Sequence, residues 1–152
     1  MEWSHPGYAI STDANRLDRE VIHAFLSGSY WAKGIPREVL DRAIANSLCF
    51  GVYEGTRQVG FARVITDKAT YGYLADVFVL ESHRGKGLGK WLVEVILAHP
   101  DLSGLRRWGL VTWDAHGLYS RIGFTALSHP ERHMEISNPD IYLRQARTPP
   151  AR

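Results

Sequence analysis

The stretch LADVFVL-ESH-RGKGLG-KWLVEVILAHP, Leu74 to Pro100, decides how this chain folds. LADVFVL (Leu74 to Leu80) is short and rich in β-branched and aromatic residues, the composition of a strand. RGKGLG (Arg84 to Gly89) is a glycine-rich turn. KWLVEVILAHP (Lys90 to Pro100) has the apolar spacing of a buried helix and stops at His99-Pro100, because the residue before proline disfavours helix. A strand, a glycine turn and a helix start together present backbone N–H groups at one point. The first N–H groups of a helix lack internal partners and sit at the positive end of its dipole, which suits a phosphate. Gly85, Gly87 and Gly89 leave no Cβ in the way of an anion, and Leu88 lies between the last two. Arg84, Lys86 and Lys90 add positive charge beside the turn.

Spacing excludes two common phosphate loops. A Walker A loop needs GxxxxGK followed by Ser or Thr; Gly85 and Gly89 are too close, and Lys90 is followed by Trp91. A dinucleotide fingerprint needs GxGxxG and an acidic residue about 20 positions on, where this chain has Leu105, Arg106 and Arg107. The pattern present is R-x-x-G-x-G, read as Arg84, Gly87 and Gly89. Behind the strand DVFVL, it resembles the acetyl-CoA-binding segment of the GNAT family of N-acetyltransferases. A second segment carries the same resemblance. After the strand-like GLVTW comes DAHGLYSRIGF (Asp114 to Phe124), and its LYxxxGF stands as Leu118, Tyr119, Gly123 and Phe124. Only these two segments are specific, although the resemblance runs from about Tyr8 to Ile136. Proline is often found in the family where this chain has Glu81.

The resemblance implies a mixed α/β sheet of the GNAT type. It implies antiparallel N-terminal strands, a central parallel pair splayed around coenzyme A, and about four helices. Pantetheine would pair with the backbones of Val77, Phe78 and Val79, and the N–H of Phe78 would stabilise the thioester oxygen. Acetyl-CoA is the implied co-substrate, with no metal. Tyr119 is the implied general acid toward the departing thiolate. A phenol titrates near 10 and a thiol near 8.5, so a positioned phenol can supply that proton. Asp114 is expected to cap the helix that carries Tyr119 and to lie at the cofactor.

The general base is open. Asp76 lies near the expected thioester, on one face with Phe78 if alternation holds, opposite Ala75 and Val77. Some polyamine acetyltransferases have a Glu-Asp pair there, and this chain has Ala75-Asp76. A structural Asp76 accepting N–H bonds stands equally beside a catalytic one; Tyr73 and His116 are further candidates. For the acceptor, Phe25, Tyr30 and Trp31 in the first long loop and Trp113 beside Asp114 offer an aromatic or cation–π surface. The acceptor itself, a small-molecule or peptide amine, is not named by any of these residues. The competing reading is a non-catalytic acyl-CoA-binding or sensing module. A nucleic-acid regulator using Arg84, Lys86, Arg106 and Arg107 is disfavoured by a net charge of only +2.

The whole chain fits one domain with a real core: 152 residues, 45% hydrophobic and 22% charged. No apolar run reaches the ~20 residues of a membrane span. MEWSHPGY has neither the basic region nor the apolar core of a secretory signal. Cys49 is the sole cysteine and is expected as a buried thiol. These features point to the cytoplasm. Strands are expected at Tyr8 to Ser11, Cys49 to Tyr53, Gln58 to Ile65, Leu74 to Leu80 and Trp108 to Trp113, with two more past Phe124, the last in HMEIS (His133 to Ser137). Helices are expected at Arg16 to Leu26, Arg37 to Ser47 and about Gly87 to Ala98, with a short one around Tyr119. The end, from about residue 144 to 152, is polar and expected to fray. Family members often pair late strands in homodimers, so a homodimer is an open expectation.

Overall fold

The structure, a computed structural model, describes residues 1–147. Six strands lie in one sheet in chain order: β1 (Glu2–His5), β2 (Tyr8–Ser11), β3 (Leu48–Glu54), β4 (Arg57–Thr66), β5 (Tyr71–Val79) and β6 (Arg107–Gly109). Neighbours are antiparallel except β5 and β6, which run parallel. Helices α1 (Arg19–Ser27) and α2 (Arg37–Ala45) follow β2. Helix α3 (Leu88–Leu97) joins β5 to β6, as a parallel pair requires, and α4 (His116–Arg121) and α5 (Ile141–Arg147) complete the chain. This is the mixed α/β sheet expected, with five α-helices among the described residues.

The helices cover both faces of the sheet. Ile22 and Leu26 of α1 and Leu40 and Ile44 of α2 bury against Phe61, Phe78 and Cys49. Leu92, Val93, Val95 and Ile96 of α3 bury against Ile10, Phe50, Val52, Val64 and Leu74 on the other face. Cys49 is buried as expected, and burial pushes its thiol up to about 11. Among the described residues, no helix is long and apolar enough to cross a membrane.

Several local expectations change for identifiable reasons. α1 begins at Arg19, not Arg16: Asp13 caps a separate 3₁₀ turn, Ala14–Arg16, and Asp18 caps the helix by accepting from the Val21 amide at 3.1 Å. β1 was not expected. Pro6-Gly7, with Gly7 at φ 83°, turns the chain so that Glu2–His5 pairs with β2. β6 is three residues long instead of six, because after the Tyr73–Gly109 pair the chain leaves β5. Neither strand expected past Phe124 forms. That segment holds only the 3₁₀ turn Pro130–Arg132 before α5, and Met134 and Ile136 are 98% and 96% exposed. HMEIS has strand periodicity but no strand of its own sheet beside it. α5 runs into the tail expected to fray; residues 148–152 lie outside the described part.

Strand β5 also departs from simple alternation. Phe61 pairs with Phe78 but Arg63 pairs with Ala75, so β5 carries one extra residue. Asp76 absorbs the bulge with φ 55°, a left-handed conformation that aspartate tolerates. In consequence Leu74 packs on the α3 face and Phe78 on the α1–α2 face, although the two are four residues apart. Asp76 and Phe78 do share a face. Ala75 joins them, opposite Val77, because it sits across from Arg63 and Arg63 reaches Asp76.

Candidate active site

The glycine turn connects β5 to α3 through the short 3₁₀ turn Glu81–His83. His83 is buried there, its Nε2 facing Oε1 of Glu54 at 3.3 Å and its Nδ1 facing the Ser82 hydroxyl at 2.8 Å. Gly85 and Gly87 have φ of 79° and 77°, which a side chain would resist. Gly87 is the N-cap of α3 and no side chain caps the helix. The first internal bond is from the Trp91 amide to the Gly87 carbonyl, so the amides of Leu88, Gly89 and Lys90 have no partner among the described residues. A Cβ built at Gly85, Gly87 or Gly89 would meet nothing within 4 Å. The cradle is open, donor-rich and positive, which fits a pyrophosphate.

The charged side chains around it are partly engaged. Arg84 Nε donates to the Val79 carbonyl at 3.1 Å, bracing the turn against β5. Lys86 Nζ donates to the Tyr8 hydroxyl at 3.3 Å, and Lys90 Nζ lies 3.7 Å from Glu94. These contacts are exposed and worth little individually, so both ammonium groups can turn to a phosphate at small cost.

Above the turn, β5 has a free edge, because β6 pairs only with Tyr71, Gly72 and Tyr73. The Leu80 amide donates to Val59 O at 2.8 Å and Gly60 faces Val79. Antiparallel alternation then turns the N–H of Phe78 toward β4 and those of Val77 and Val79 toward the gap. The oxyanion donor expected at Phe78 is therefore pointed away from the cleft, and its neighbours point into it.

Asp76 does not accept backbone N–H bonds. Its Oδ1 accepts from Trp31 Nε1 at 2.9 Å and its Oδ2 from Arg63 Nε at 2.5 Å. The Asp76 and Arg63 side chains are 8% and 16% exposed, and Arg63 Nη1 also donates to the Ser47 hydroxyl at 3.1 Å. Arg63 is the residue missed from the sequence. A lone arginine inside the apolar run QVGFARVI was the available signal, since a buried charge requires a partner.

Tyr119 lies in α4, 9% exposed, with its ring edge-on to Phe124 at 5.8 Å. Its hydroxyl makes no hydrogen bond among the described residues. Burial, then the neighbouring Tyr30 and Asp114, push it above the ordinary phenol value, so it keeps its proton through neutral pH. Asp114 is not the cap of α4: Ala115 is, and the Ala115 amide is taken by the Thr112 hydroxyl at 3.1 Å. Asp114 is left exposed and without a partner among the described residues. Tyr30 and Trp113 meet at 4.7 Å between ring centres, and the Trp113 amide donates to the Tyr30 hydroxyl at 3.3 Å. Tyr30 touches Trp31 at 5.1 Å. Two loops 83 residues apart thus meet at Tyr30, one of the groups that raise the Tyr119 hydroxyl. Tyr73 is half-buried with its hydroxyl raised by burial, and His116 is exposed.

The open phosphate cradle and the free strand edge lie in the part of the chain that comparisons with known proteins also match. The family model described as an acetyltransferase (GNAT) domain matches residues 45–126. A candidate acetyltransferase of Gibberella zeae is 34% identical over 144 residues, 80% of each chain. Among solved structures, a candidate GNAT-family acetyltransferase from Xanthomonas campestris is 52% identical, with TM-score 0.88 over 91% of this chain and 99% of that one. A candidate acetyltransferase from Clostridium acetobutylicum, crystallised with acetyl-CoA, shares the fold at 13% identity and TM-score 0.63, over 90% and 96% of the two chains. The chain belongs to the GNAT acetyltransferase family.

Proposed function

We propose that this protein is an acetyl-CoA-dependent N-acetyltransferase that moves the acetyl group to a primary amine by direct attack. The observation that carries this reading is the uncapped N-terminus of α3 behind Gly85, Gly87 and Gly89, at the end of a strand with a free edge. The loop from Arg84 to Lys90 holds the pyrophosphate, and the edge of Val77 to Val79 holds pantetheine. The neutral amine nitrogen bonds to the thioester carbon, the C–S bond breaks, Tyr119 gives its proton to sulfur, and the proton lost by the amine passes to water, from which Tyr119 is reprotonated. An N–H of Val77 or Val79 serves the carbonyl oxygen as charge develops. Asp76 is held at both oxygens, by Trp31 and by Arg63, so it acts as a brace and not as the base. A single free thiol and this donor suit the cytoplasm.

Isothermal titration with acetyl-CoA tests the reading, with 3′-dephospho-CoA and NAD as controls. Micromolar binding of acetyl-CoA alone is expected. Gly87→Ala puts a methyl group into the cradle at φ 77°. It should weaken acetyl-CoA by about thirtyfold while lowering Tm by only a few degrees, since the left-handed penalty is about 1–2 kcal/mol. No heat with the wild-type protein would reduce RGKGLG to a turn and remove the assignment.

We also propose a homodimer. Met134 and Ile136 point to solvent two residues apart, and Glu135 between them has no ion-pair partner among the described residues. The free edge of β6 carries Arg107, also exposed and unpaired, next to Arg106 and the half-buried Trp108. The extended segment and the bare edge are complementary in charge and apolarity, and a two-fold pair satisfies both at once. Light scattering should give twice the chain mass, and Met134→Asp with Ile136→Asp should give a folded monomer. A monomeric wild-type chain at micromolar concentration would reject the dimer.

A further inference from the structure

We infer that the acceptor is a primary amine carried on an aromatic or bulky apolar body, bound against Trp31, Tyr30 and Trp113 with its ammonium directed to Asp114. The inference rests on the acetyltransferase reading for its chemistry but on separate residues for its evidence. The three rings are 43%, 53% and 73% exposed, yet they are not scattered. They form one chain of edge contacts, Trp31 to Tyr30 to Trp113, from two loops distant in sequence. The chain is anchored inward. Phe25 meets Trp31 at 6.3 Å and stacks on Phe78 at 4.0 Å and 8°, which ties the rings to the strand at the cleft. Trp31 is further held by its bond to Asp76. A contiguous exposed aromatic surface in fixed geometry beside a reactive cleft is the form of an apolar binding site.

Charge narrows the class. A polyamine needs several free carboxylates along its path. Here each Asp76 oxygen already accepts a bond, one from Trp31 and one from Arg63, and Asp114, next to Trp113 in the chain, is exposed and has no partner among the described residues. A sugar phosphate needs a cation held at this wall: Arg63 is committed to Asp76 and Ser47, and Lys33, two residues past Trp31, is a single exposed ammonium with no side chain to fix it among the described residues. One free carboxylate beside three rings matches one ammonium on one apolar body. Asp114 follows Trp113 directly in the chain and, after burial and Tyr30, is one of the groups that raise the Tyr119 hydroxyl, so the carboxylate lies toward the acid.

The probe is phenethylamine, compared with spermidine and glucosamine 6-phosphate, with thiol release from acetyl-CoA as readout. A kcat/KM for phenethylamine at least tenfold above both others is expected. Trp113→Ala removes the most exposed ring and keeps the backbone bond to Tyr30, so folding is not at issue. It should raise KM for phenethylamine about tenfold, the loss of one ring face, and leave the acetyl-CoA Kd within twofold. Preference for spermidine or the sugar phosphate, or an unchanged KM in Trp113→Ala, overturns the inference while the acetyltransferase reading stands. Calorimetry with phenethylamine alone separates the two claims. Heat that Trp113→Ala abolishes supports the aromatic site even if acetyl-CoA does not bind, and no heat overturns it.

Discussion

Tyr119→Phe is expected to lower kcat by about two to three orders of magnitude while acetyl-CoA binds as before. The size follows from the job assigned to the hydroxyl, since a positioned acid contributes roughly 10²–10⁴-fold. The selectivity follows from the surroundings. The hydroxyl holds no protein hydrogen bond among the described residues, so its removal leaves no orphaned partner. The ring, which packs edge-on against Phe124, is unchanged. Stability should therefore move by less than about 1 kcal/mol. The pH profile gives a second reading of the same residue. The acid must be protonated, and burial raises its titration above the ordinary phenol value near 10. The wild-type kcat should not fall on the alkaline side until beyond that ordinary value. The phenylalanine variant should show no such limb at all. Turnover within threefold of wild type would take Tyr119 out of the chemistry.

The parts of the site legible in the sequence are those made by neighbours in the chain. Gly85, Gly87 and Gly89 between LADVFVL and KWLVEVIL state their geometry locally, because a strand, a φ-positive turn and a helix start need no distant partner. LYSRIGF likewise carries Tyr119 to the buried side of its own short helix. The illegible parts are set by pairing. The bulge at Asp76 exists only in the mismatch between the β4 and β5 registers, and it moved Ala75 to the other face. It also fixed which amides look into the gap. The meeting of Tyr30 with Trp113 depends on two loops that no periodicity connects. Trp108 to Trp113 reads as one strand, but the chain leaves β5 after Gly109, and that divergence leaves the edge of β5 free beyond Tyr73. HMEIS alternates like a strand and finds none in its own sheet, because periodicity specifies a face and not a partner.

Arg63→Met should be the most destabilising single change at the site, and the reason bears on catalysis. Arg63 and Asp76 form an almost dry ion pair, and Asp76 sits in the left-handed bulge of β5. Removing the guanidinium leaves a buried carboxylate with one neutral donor, Trp31 Nε1. Breaking such a pair from one side costs ~3–5 kcal/mol. At ~2–4 °C per kcal/mol for a chain of this size, Tm should fall by roughly 6–20 °C. Asp76→Asn keeps a side chain that tolerates the left-handed conformation and can still accept from one of the two donors through its single amide oxygen, and it leaves no buried carboxylate, so it should cost less than Arg63→Met. Combined with Arg63→Met it should recover part of the loss, because neither buried charge is then left alone. The kinetics of Asp76→Asn then discriminate between brace and base. A brace predicts kcat reduced less than tenfold, with KM for the amine rising as Trp31 loosens. A thousandfold fall in kcat with Tm unchanged would make Asp76 the base and would require Arg63 to release it during turnover.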